Sequence, residues 1–202
     1  MPKLPTSYYL NPDVVVVAYD LIGKVLVTEL DGIVTAGMII ETEAYCGIND
    51  KACHANNGKR TPRNEIMYHE GGHAYIYLCY GIHHLFNVVT NESGNADAVL
   101  IRGIFPLDGI EAMLQRRKLT RERKGFAQGP GAMSQAMGIY TKLNGQLLTD
   151  DTIWIEDRGI DIPKEKIVAS TRIGVDYAGE DALRPWRFFH SEFYPSKIKQ
   201  KR

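Results

Sequence analysis

The alternation of apolar and polar residues predicts a β-hairpin in the first quarter of the chain. Val, Ile and Thr are frequent in residues 24–30 and 33–45, and Asp31-Gly32 between them is a strong two-residue turn signal. Upstream, an apolar run over residues 13–22 follows Asn11-Pro12 and precedes a glycine, as in a capped helix with proline in its first turn. The pattern therefore predicts one helix followed by two antiparallel strands.

Later segments predict further strands in hairpin order, with two short helices among them. Strand-like runs cover residues 74–80, 84–90, 98–104, 152–156, 167–174 and 186–190. Helical patterns cover residues 107–119 and 132–137, the second opened by Gly129-Pro130-Gly131. Hairpin-ordered strands with few helices are typical of an α+β fold. We therefore expect a curved antiparallel β-sheet with flanking helices.

Residues 46–72 form a long stretch without a hydrophobic period. They are rich in Gly, Asn, His and charged residues, and a loop of this length usually carries function. No linker or internal repeat divides the 202 residues, and this length suits one domain. We expect a single domain over residues 1–202, with its core at about residues 8–190 and a basic tail at residues 196–202.

The composition is that of an ordinary globular protein and argues against two other classes of protein. Hydrophobic residues make up 44% of the chain, but no run of 18 apolar residues occurs, so we expect no membrane-spanning helix. Residues 1–6 lack the apolar stretch of a signal peptide, and three cysteines do not form a disulfide framework. We expect a cytoplasmic protein, nucleoid-associated in a bacterium or nuclear in a eukaryote.

Overall charge gives no support for a nucleic-acid partner, because 24 basic residues balance 24 acidic ones. The distribution is uneven, since six basic residues and one acid lie between residues 116 and 124, and the tail holds four more basic residues. Local basic patches can bind a phosphate backbone. The alternative is a solvated helix face and a loose tail, and both interpretations stay open.

The first candidate for chemistry is a strand segment that contains two acids. Alternation places Glu41, Glu43 and Tyr45 on one face of the strand, opposite Ile40 and Thr42. A carboxylate at the end of an otherwise apolar strand can act as a general base. The alternative is an exposed edge of a hairpin, where the acids are simply solvated.

The second candidate is a group of tyrosines near a predicted turn. Tyr75 and Tyr77 share a strand face, and Tyr80 lies next to Gly81 at the turn. Flat aromatic rings on one surface can stack on nucleic-acid bases. The alternative is a set of tyrosines packed at the boundary of the core with bonded hydroxyl groups.

A third pattern, His69-Glu70-Gly71-Gly72-His73, matches the H-E-x-x-H motif of zinc metallopeptidases. The motif works only on a helix, and its two central glycines would cost a helix about 2 kcal/mol relative to alanine. We therefore predict a turn before the next strand rather than a zinc hydrolase. Cys46, Cys53, His54 and Cys79 lack the paired spacing of a structural zinc site, so we expect no metal and no cofactor.

Taken together, the motifs of the chain resemble the alkyladenine DNA glycosylase family, the 3-methyladenine DNA glycosylases of the mammalian type. They occur in the family's order from about residue 18 to residue 190. The matching segments are residues 20–26, 40–45, 50–54, 61–64, 75–88, 98–102, 129–131, 172–175 and 184–188. Each segment is short, but the whole set is specific.

The resemblance implies a monofunctional DNA glycosylase of base excision repair. Such an enzyme flips an alkylated or deaminated purine (3-methyladenine, 7-methylguanine, hypoxanthine) from the duplex and hydrolyses its N-glycosidic bond, which leaves an abasic site. Glu43 matches the general base that deprotonates the attacking water, and Arg102 matches the arginine that helps to hold this water. No lysine occupies the matched pocket, which argues against Schiff-base lyase chemistry.

The resemblance also implies residues that recognise the base. Tyr45 and Tyr77 match the aromatic walls that sandwich the flipped base, and His54 matches the hydrogen-bond donor to it. Asn87 matches the residue that disfavours the exocyclic amine of guanine, and Tyr80 matches the tyrosine that enters the gap in the duplex. A purine made cationic by alkylation would be attracted to the tyrosine rings by about 2 kcal/mol or more once desolvated.

The expected partner is double-stranded DNA that contains damaged purines, bound by a monomer without a membrane partner. We expect Lys59 and Arg63 to contact the DNA backbone. The sequence departs from the family pattern at residues 83–86 and 91–97, which bear on minor-groove contacts and base preference. The alternative function is a non-catalytic nucleic-acid-binding module on the same fold.

Overall fold

Eight antiparallel strands form one sheet in the computed structural model, which describes residues 2–194. The strands are β1 (Val25–Leu30), β2 (Ile33–Tyr45), β3 (Ala74–Cys79), β4 (His83–Thr90), β5 (Asp97–Asp108), β6 (Ile153–Glu156), β7 (Ile167–Ser170) and β8 (Arg187–His190). Their order is β3-β4-β5-β2-β1-β6, and β8 pairs with both β2 and β7. The expected α+β fold on an antiparallel sheet is confirmed.

Strand β2 is central to the sheet and carries the two acids. Along one side it pairs with β5, and along the other it pairs first with β1 and then with β8. The register between β2 and β5 shifts on both sides of Glu41. Because Glu41 and Glu43 are both buried on a strand with partners on both sides, the alternative of an exposed hairpin edge is wrong.

The helices are short and pack on the sheet or lie in its connections. The α-helices of the described residues are α1 (Thr6–Tyr9), α2 (Val14–Asp20), α3 (Ile110–Arg116) and α4 (Pro130–Met137). The 3-10 helices are Asn56–Gly58, Glu65–Tyr68, Thr141–Leu143, Lys164–Lys166 and Asp176–Leu183. Asp13 caps α2, because its Oδ1 accepts hydrogen bonds from the N–H groups of Val15 and Val16 at 2.9 and 3.1 Å.

The main core lies between the sheet and helices α2 and α4. Buried residues such as Val17 of α2 and Met133 of α4 share one apolar cluster with Ile39, Phe86 and Ile101 of the sheet. Burial of apolar surface of this kind is the dominant favourable term in folding. No helix among residues 2–194 is long and apolar enough to cross a membrane.

Three element boundaries differ from the sequence prediction for local reasons. Strand β5 continues to Asp108, and α3 begins only after Gly109, whose φ of 69° is left-handed. A Cβ at that glycine would collide with the carbonyl oxygen of Val34. Strand β7 ends at Ser170, because the next residues turn inward towards β2. Helix α1 was not predicted, and the 46–72 loop contains two of the 3-10 helices.

Residues 69–73 form a turn against β4 and not a helix. The N–H groups of Gly71 and Gly72 donate to the carbonyl groups of Asn91 and Val89, at 2.8 and 2.9 Å. Gly72 has a φ of 98°, which favours glycine. The predicted turn is confirmed, and the helix that the H-E-x-x-H motif requires is not formed.

The basic segment between residues 116 and 124 is partly structural. Arg116 donates to Thr35 Oγ1 and to the carbonyl of Ala136, both at 3.1 Å, while the Nε of Arg117 donates to the carbonyl of Phe126 at 3.1 Å. These two arginines therefore hold α3 against β2 and α4, and only the rest of the segment remains for a DNA patch. The predicted basic tail at 196–202 lies outside the described residues.

Candidate active site

A cavity of about 720 Å³ opens between the β3–β4 hairpin, strands β2 and β5, the start of α4 and the segment after β7. It contains most of the residues that the sequence analysis singled out. Those that line it are Tyr45, His54, Arg63, Tyr75, Tyr77, Tyr80, Asn87 and Arg102, together with Ile173 and Tyr177. A volume of this size is within the range of small-molecule and cofactor sites.

Glu43 lies behind the wall of the cavity and is fully buried. Its Oε2 accepts hydrogen bonds from the hydroxyl of Tyr45 at 2.8 Å and from Nη1 of Arg102 at 3.2 Å. Its Oε1 accepts a hydrogen bond from the main-chain N–H of Ile173 at 2.8 Å. All three partners line the cavity although the carboxylate does not. Access of a water to Glu43 is therefore governed by these three residues.

The pKa of Glu43 is raised above the ordinary glutamate value, and burial is the largest cause. The charge of Arg102 and the hydrogen bonds from Ile173 and Tyr45 act in the opposite direction, since they favour the ionised form. The charge of the nearby Glu41 adds to the effect of burial. A carboxyl group whose pKa is raised in this way is a stronger base than an exposed glutamate.

Tyr45 and Tyr77 stand in the wall of the cavity, and each has an arginine over its ring. The guanidinium carbon of Arg172 lies 4.9 Å from the ring centroid of Tyr45, and that of Arg63 lies 4.8 Å from the ring centroid of Tyr77. Both tyrosines are half-buried. The positive charge of each arginine is attracted by the electron-rich face of the ring, which favours this arrangement of the side chains.

His54 contacts the same wall. Its Nδ1 and the hydroxyl of Tyr75 are 2.9 Å apart, and its ring lies edge-on to Tyr77, with centroids 4.7 Å apart. Burial, with the charges of Arg63 and Lys59, lowers the pKa of His54 to about 4. The imidazole is therefore neutral at pH 7. For Tyr75 the core-boundary alternative holds, because this ring is buried and its hydroxyl is bonded.

Asn87 lies on β4 beside the cavity and is held by the sheet. Its Nδ2 donates to the carbonyl of Tyr75 at 3.0 Å. Of the two departures from the family pattern, residues 83–86 contribute His83 and Leu85 to the lining of the cavity. The 91–97 loop instead contacts Tyr68, whose carbonyl accepts a hydrogen bond from the N–H of Gly94 at 2.9 Å.

Tyr80 is at the tip of the β3–β4 hairpin, at the mouth of the cavity. Its side chain is 91% exposed, and its neighbour Ile82 is 70% exposed. Tyr80 and Gly81 have φ values of 51° and 72°, and the N–H of Ile82 donates to the carbonyl of Cys79 at 3.2 Å. This tight turn presents an aromatic and an aliphatic side chain to solvent, next to the cavity.

The two residues expected to contact the DNA backbone occupy different positions. Lys59 is exposed on the long loop, where its carbonyl oxygen accepts hydrogen bonds from Asn64 and Tyr68 at 2.7 and 3.0 Å. Arg63 is also exposed, but it lines the edge of the cavity beside Tyr77. Their role on DNA stays a prediction.

Sequence reasoning missed several residues that build the site. Arg172 and Asp50 form a fully buried ion pair with two hydrogen bonds of 2.6 and 2.7 Å, and Nη1 of Arg172 also donates to the carbonyl of Ala44 at 2.9 Å. Tyr177 lines the cavity, although it is 71% exposed. Both members of the ion pair lie in segments that carry the family resemblance, which is the only signal that could have indicated them.

Comparison with known proteins shows the family to which the chain belongs. The profile of the methylpurine-DNA glycosylase family matches residues 8–193. A protein of Methanocella arvoryzae named "Putative 3-methyladenine DNA glycosylase" is 48% identical over 190 residues, which are 94% of this chain and 92% of that protein. Proteins of the same name from Chlamydia felis and Bacillus cereus are 48% and 43% identical, over 92% and 93% of this chain and 94% and 95% of theirs. The chain therefore belongs to the methylpurine-DNA glycosylase family of DNA N-glycosylases.

Proposed function

We propose that this protein is a monofunctional glycosylase of base excision repair that removes alkylated or deaminated purines from double-stranded DNA. Its substrates are lesions of the 3-methyladenine, 7-methylguanine and hypoxanthine class. The observation that carries the proposal is the position of Glu43, a buried carboxylate bonded to Tyr45, Arg102 and the N–H of Ile173 behind an aromatic cavity. The protein acts as a monomer and in the cytoplasm.

The damaged nucleobase must leave the duplex before the reaction, because the duplex hides its glycosidic bond. Tyr80 enters the gap that the flipped nucleotide leaves, while the base occupies the cavity between Tyr45 and Tyr77. His54, which is neutral, offers a hydrogen bond to the base, and Asn87 restricts the space beside it. The exposure of Tyr80 at the tip of the hairpin and the presence of the other four side chains in the lining of the cavity support these assignments.

The chemical step is an attack of water on C1′ of the deoxyribose. Glu43 takes a proton from the water, the oxygen bonds to C1′, and the electron pair of the C1′–N bond leaves with the purine. An alkylated, cationic purine becomes neutral in this step and needs no proton, whereas neutral hypoxanthine leaves as an anion and takes its proton from solvent water. Arg102 holds the water and the carboxylate in place, and its charge favours the ionised form of Glu43.

The cavity supports hydrolysis and not lyase chemistry. Among the described residues that line it, none is a lysine, so no amine is placed to form a Schiff base with the sugar. The product is therefore an intact strand with an abasic site. The binding partner is duplex DNA, which reaches the cavity past Tyr80.

Release of free base from a duplex with one 7-methylguanine tests the proposal. The wild-type protein should release the base, and Glu43→Gln should lose at least about 100-fold in single-turnover rate while it still binds the duplex. The matched control is Glu70→Gln, which alters the exposed acid of the H-E-x-x-H motif and should leave the rate unchanged, as should excess chelator. Tight binding without any release by the wild-type protein would instead show a non-catalytic binding module.

A further inference from the structure

Behind Glu43 lies a second buried carboxylate, that of Glu41, which the reaction described above does not use. Its Oε1 accepts hydrogen bonds from Nε of Arg102 at 3.0 Å and from Nη1 of Arg187 at 2.8 Å. Its Oε2 accepts a hydrogen bond from the hydroxyl of Tyr194 at 2.6 Å. Arg102 thus bridges two carboxylates, with Nε towards Glu41 and Nη1 towards Glu43.

Neighbouring strands leave space for the donors to Glu41 and hold them in position. Glu41 pairs with Gly103 of β5 at the place where the β2–β5 register shifts. A Cβ at Gly103 would lie 2.7 Å from the hydroxyl oxygen of Tyr194, so a side chain there would displace this hydroxyl from Glu41. The Nε of Arg187 is fixed in turn by the carbonyl of Thr171, at 3.0 Å. Glu41 therefore has fixed donors on both oxygens.

We propose that Glu41 is a positioning residue. Its carboxylate compensates part of the positive charge of Arg102, so that Glu43 remains basic enough to accept a proton from water. The inference rests on the proposed function and deepens it. Arg102 paired with Glu43 alone would bind that carboxylate fully and make it a weaker base. With Glu41 in place, two guanidinium groups face two carboxylates, and Arg102 offers Glu43 one hydrogen bond of 3.2 Å.

The charged and titratable groups around Glu43 come from several elements. Arg102 faces it from β5, Glu41 and Tyr45 lie on its own strand, and Arg187 is its register partner on β8. The segment after β7 supplies the N–H of Ile173 and the buried guanidinium of Arg172, which is paired with Asp50. An opposite charge within about 4–6 Å lowers the pKa of a carboxyl group by about 1–3 units, and a like charge raises it. Loss of the Glu41 charge should therefore lower the pKa of Glu43, and loss of the Arg187 charge should raise it.

The experiment measures the single-turnover release of 7-methylguanine from a duplex between pH 4 and 9. This cationic base leaves without protonation, so no acid catalyst contributes to the fall in rate at low pH, and His54, whose pKa is about 4, titrates only at the lower end of this range. Glu41→Gln keeps the shape and loses the charge. For this variant we expect the midpoint of the fall in rate to lie about one pH unit below that of the wild-type protein. Its rate at neutral pH should be lower by roughly threefold to tenfold.

Arg187→Gln should move the midpoint in the opposite direction, to higher pH. The double variant Glu41→Gln/Arg187→Gln removes one charge of each sign and leaves no unpaired buried charge in this cluster, but Arg102 then pairs with Glu43 alone. Its midpoint should therefore lie between that of Glu41→Gln and that of the wild-type protein. Displacements of opposite sign that partly cancel in the double variant cannot come from a merely structural role. Circular dichroism checks that each variant is folded.

Several results would overturn the inference. One is a lower rate for Glu41→Gln with an unmoved midpoint, and another is a displacement of the same sign in both single variants. Where Glu41→Gln alone does not fold, a midpoint in the double variant that is not below the wild-type midpoint has the same effect. If the wild-type protein releases no base, or if Glu43→Gln keeps its activity, the proposed function fails instead, so the two failures are distinguishable.

Discussion

The main-chain N–H of Ile173 donates a hydrogen bond to Oε1 of Glu43 across 2.8 Å, although 130 residues separate the two in the chain. Ile173 is 52% exposed and lines the cavity. A main-chain donor at this place depends on the path of the backbone and not on residue type. The segment that follows β7 therefore has to be held in place by its neighbours. The buried ion pair of Arg172 with Asp50 does so, together with the hydrogen bond from Nε of Arg187 to the carbonyl of Thr171.

Asp50→Asn should show how much stability this contact contributes. The change leaves the buried guanidinium of Arg172 without its counter-ion, and breaking a buried ion pair typically costs about 3–5 kcal/mol. We expect a loss of this size in the free energy of unfolding, measured by urea denaturation. Glu65→Gln breaks the exposed pair with Arg60 and should leave the free energy nearly unchanged. Equal effects of the two changes would contradict the structural role of Asp50.

Tyr45→Phe should alter the pH dependence of base release and keep the aromatic wall. In the proposed mechanism Glu43 acts in its ionised form, so the rate should fall as the pH falls through its pKa. The hydrogen bond from Tyr45 lowers that pKa, and its removal should therefore move the midpoint of the fall to higher pH. Tyr75→Phe is the matched control, because its hydroxyl bonds His54 instead, and its midpoint should not move. A wild-type midpoint in Tyr45→Phe would show that the hydroxyl does not act on Glu43.

His54 should stay neutral across the working pH range. Its pKa is lowered to about 4 by burial and by the charges of Arg63 and Lys59, so its proton is lost well below pH 7. The NMR shifts of its ring should be flat between pH 6 and 8. In Arg63→Gln the pKa of His54 should rise, because one of the repelling charges is gone. A titration of the wild-type ring near pH 6.5 would refute this prediction.

Lys59→Ala with Arg63→Ala should weaken binding to damaged and undamaged duplexes alike. Each phosphate contact contributes close to one unit to the slope of log affinity against log salt, so the double variant should lose about one to two units. Binding titrations at several salt concentrations measure the slope. Since Arg63 also borders the cavity beside Tyr77, a loss confined to damaged DNA would assign it to recognition of the base.

Tyr80→Ala should separate base flipping from the chemical step. A lost stacking contact is worth about 1–3 kcal/mol, so the flipped state should become roughly 5–150-fold less populated. The defect in single-turnover release should be large for a lesion in a stable pair and small for the same lesion in a bulge, where extrusion is already favourable. Equal losses on both substrates would show that Tyr80 serves the chemistry or the fold.

The fold was predictable from the sequence where a local pattern was sufficient. The turn at Asp31-Gly32 and the non-helical Gly71-Gly72 each follow from the backbone preferences of those residues, and the structure shows both. The capped helix was predicted with proline in its first turn, but Asp13 is the cap of α2, so Pro12 lies before the helix. The end of β5 was not predictable, because it depends on Gly109 fitting against Val34 of a strand far away in the chain.

The candidate site was predictable only in part, for the same reason. Alternation placed Glu41 and Glu43 on one face, but it could not show that two distant donors, Arg102 and the N–H of Ile173, also bind Glu43. Arg102 appeared in the sequence only through the family resemblance, and Asp50 was given no role. Contacts between residues more than 100 positions apart, such as Asp50 with Arg172, leave no local pattern.

The backbone of Tyr80 has one more consequence. Its left-handed φ of 51° is rare for a residue with a side chain, and the turn bond from Ile82 to Cys79 holds it in place without DNA. In the proposed role, the probing ring is thus already extended before any encounter. The energetic cost of opening a base pair then falls on the duplex alone, and weak pairs open more readily under the same probe. Damage would be sensed first as local weakness of the DNA, and only afterwards as the chemical identity of a base.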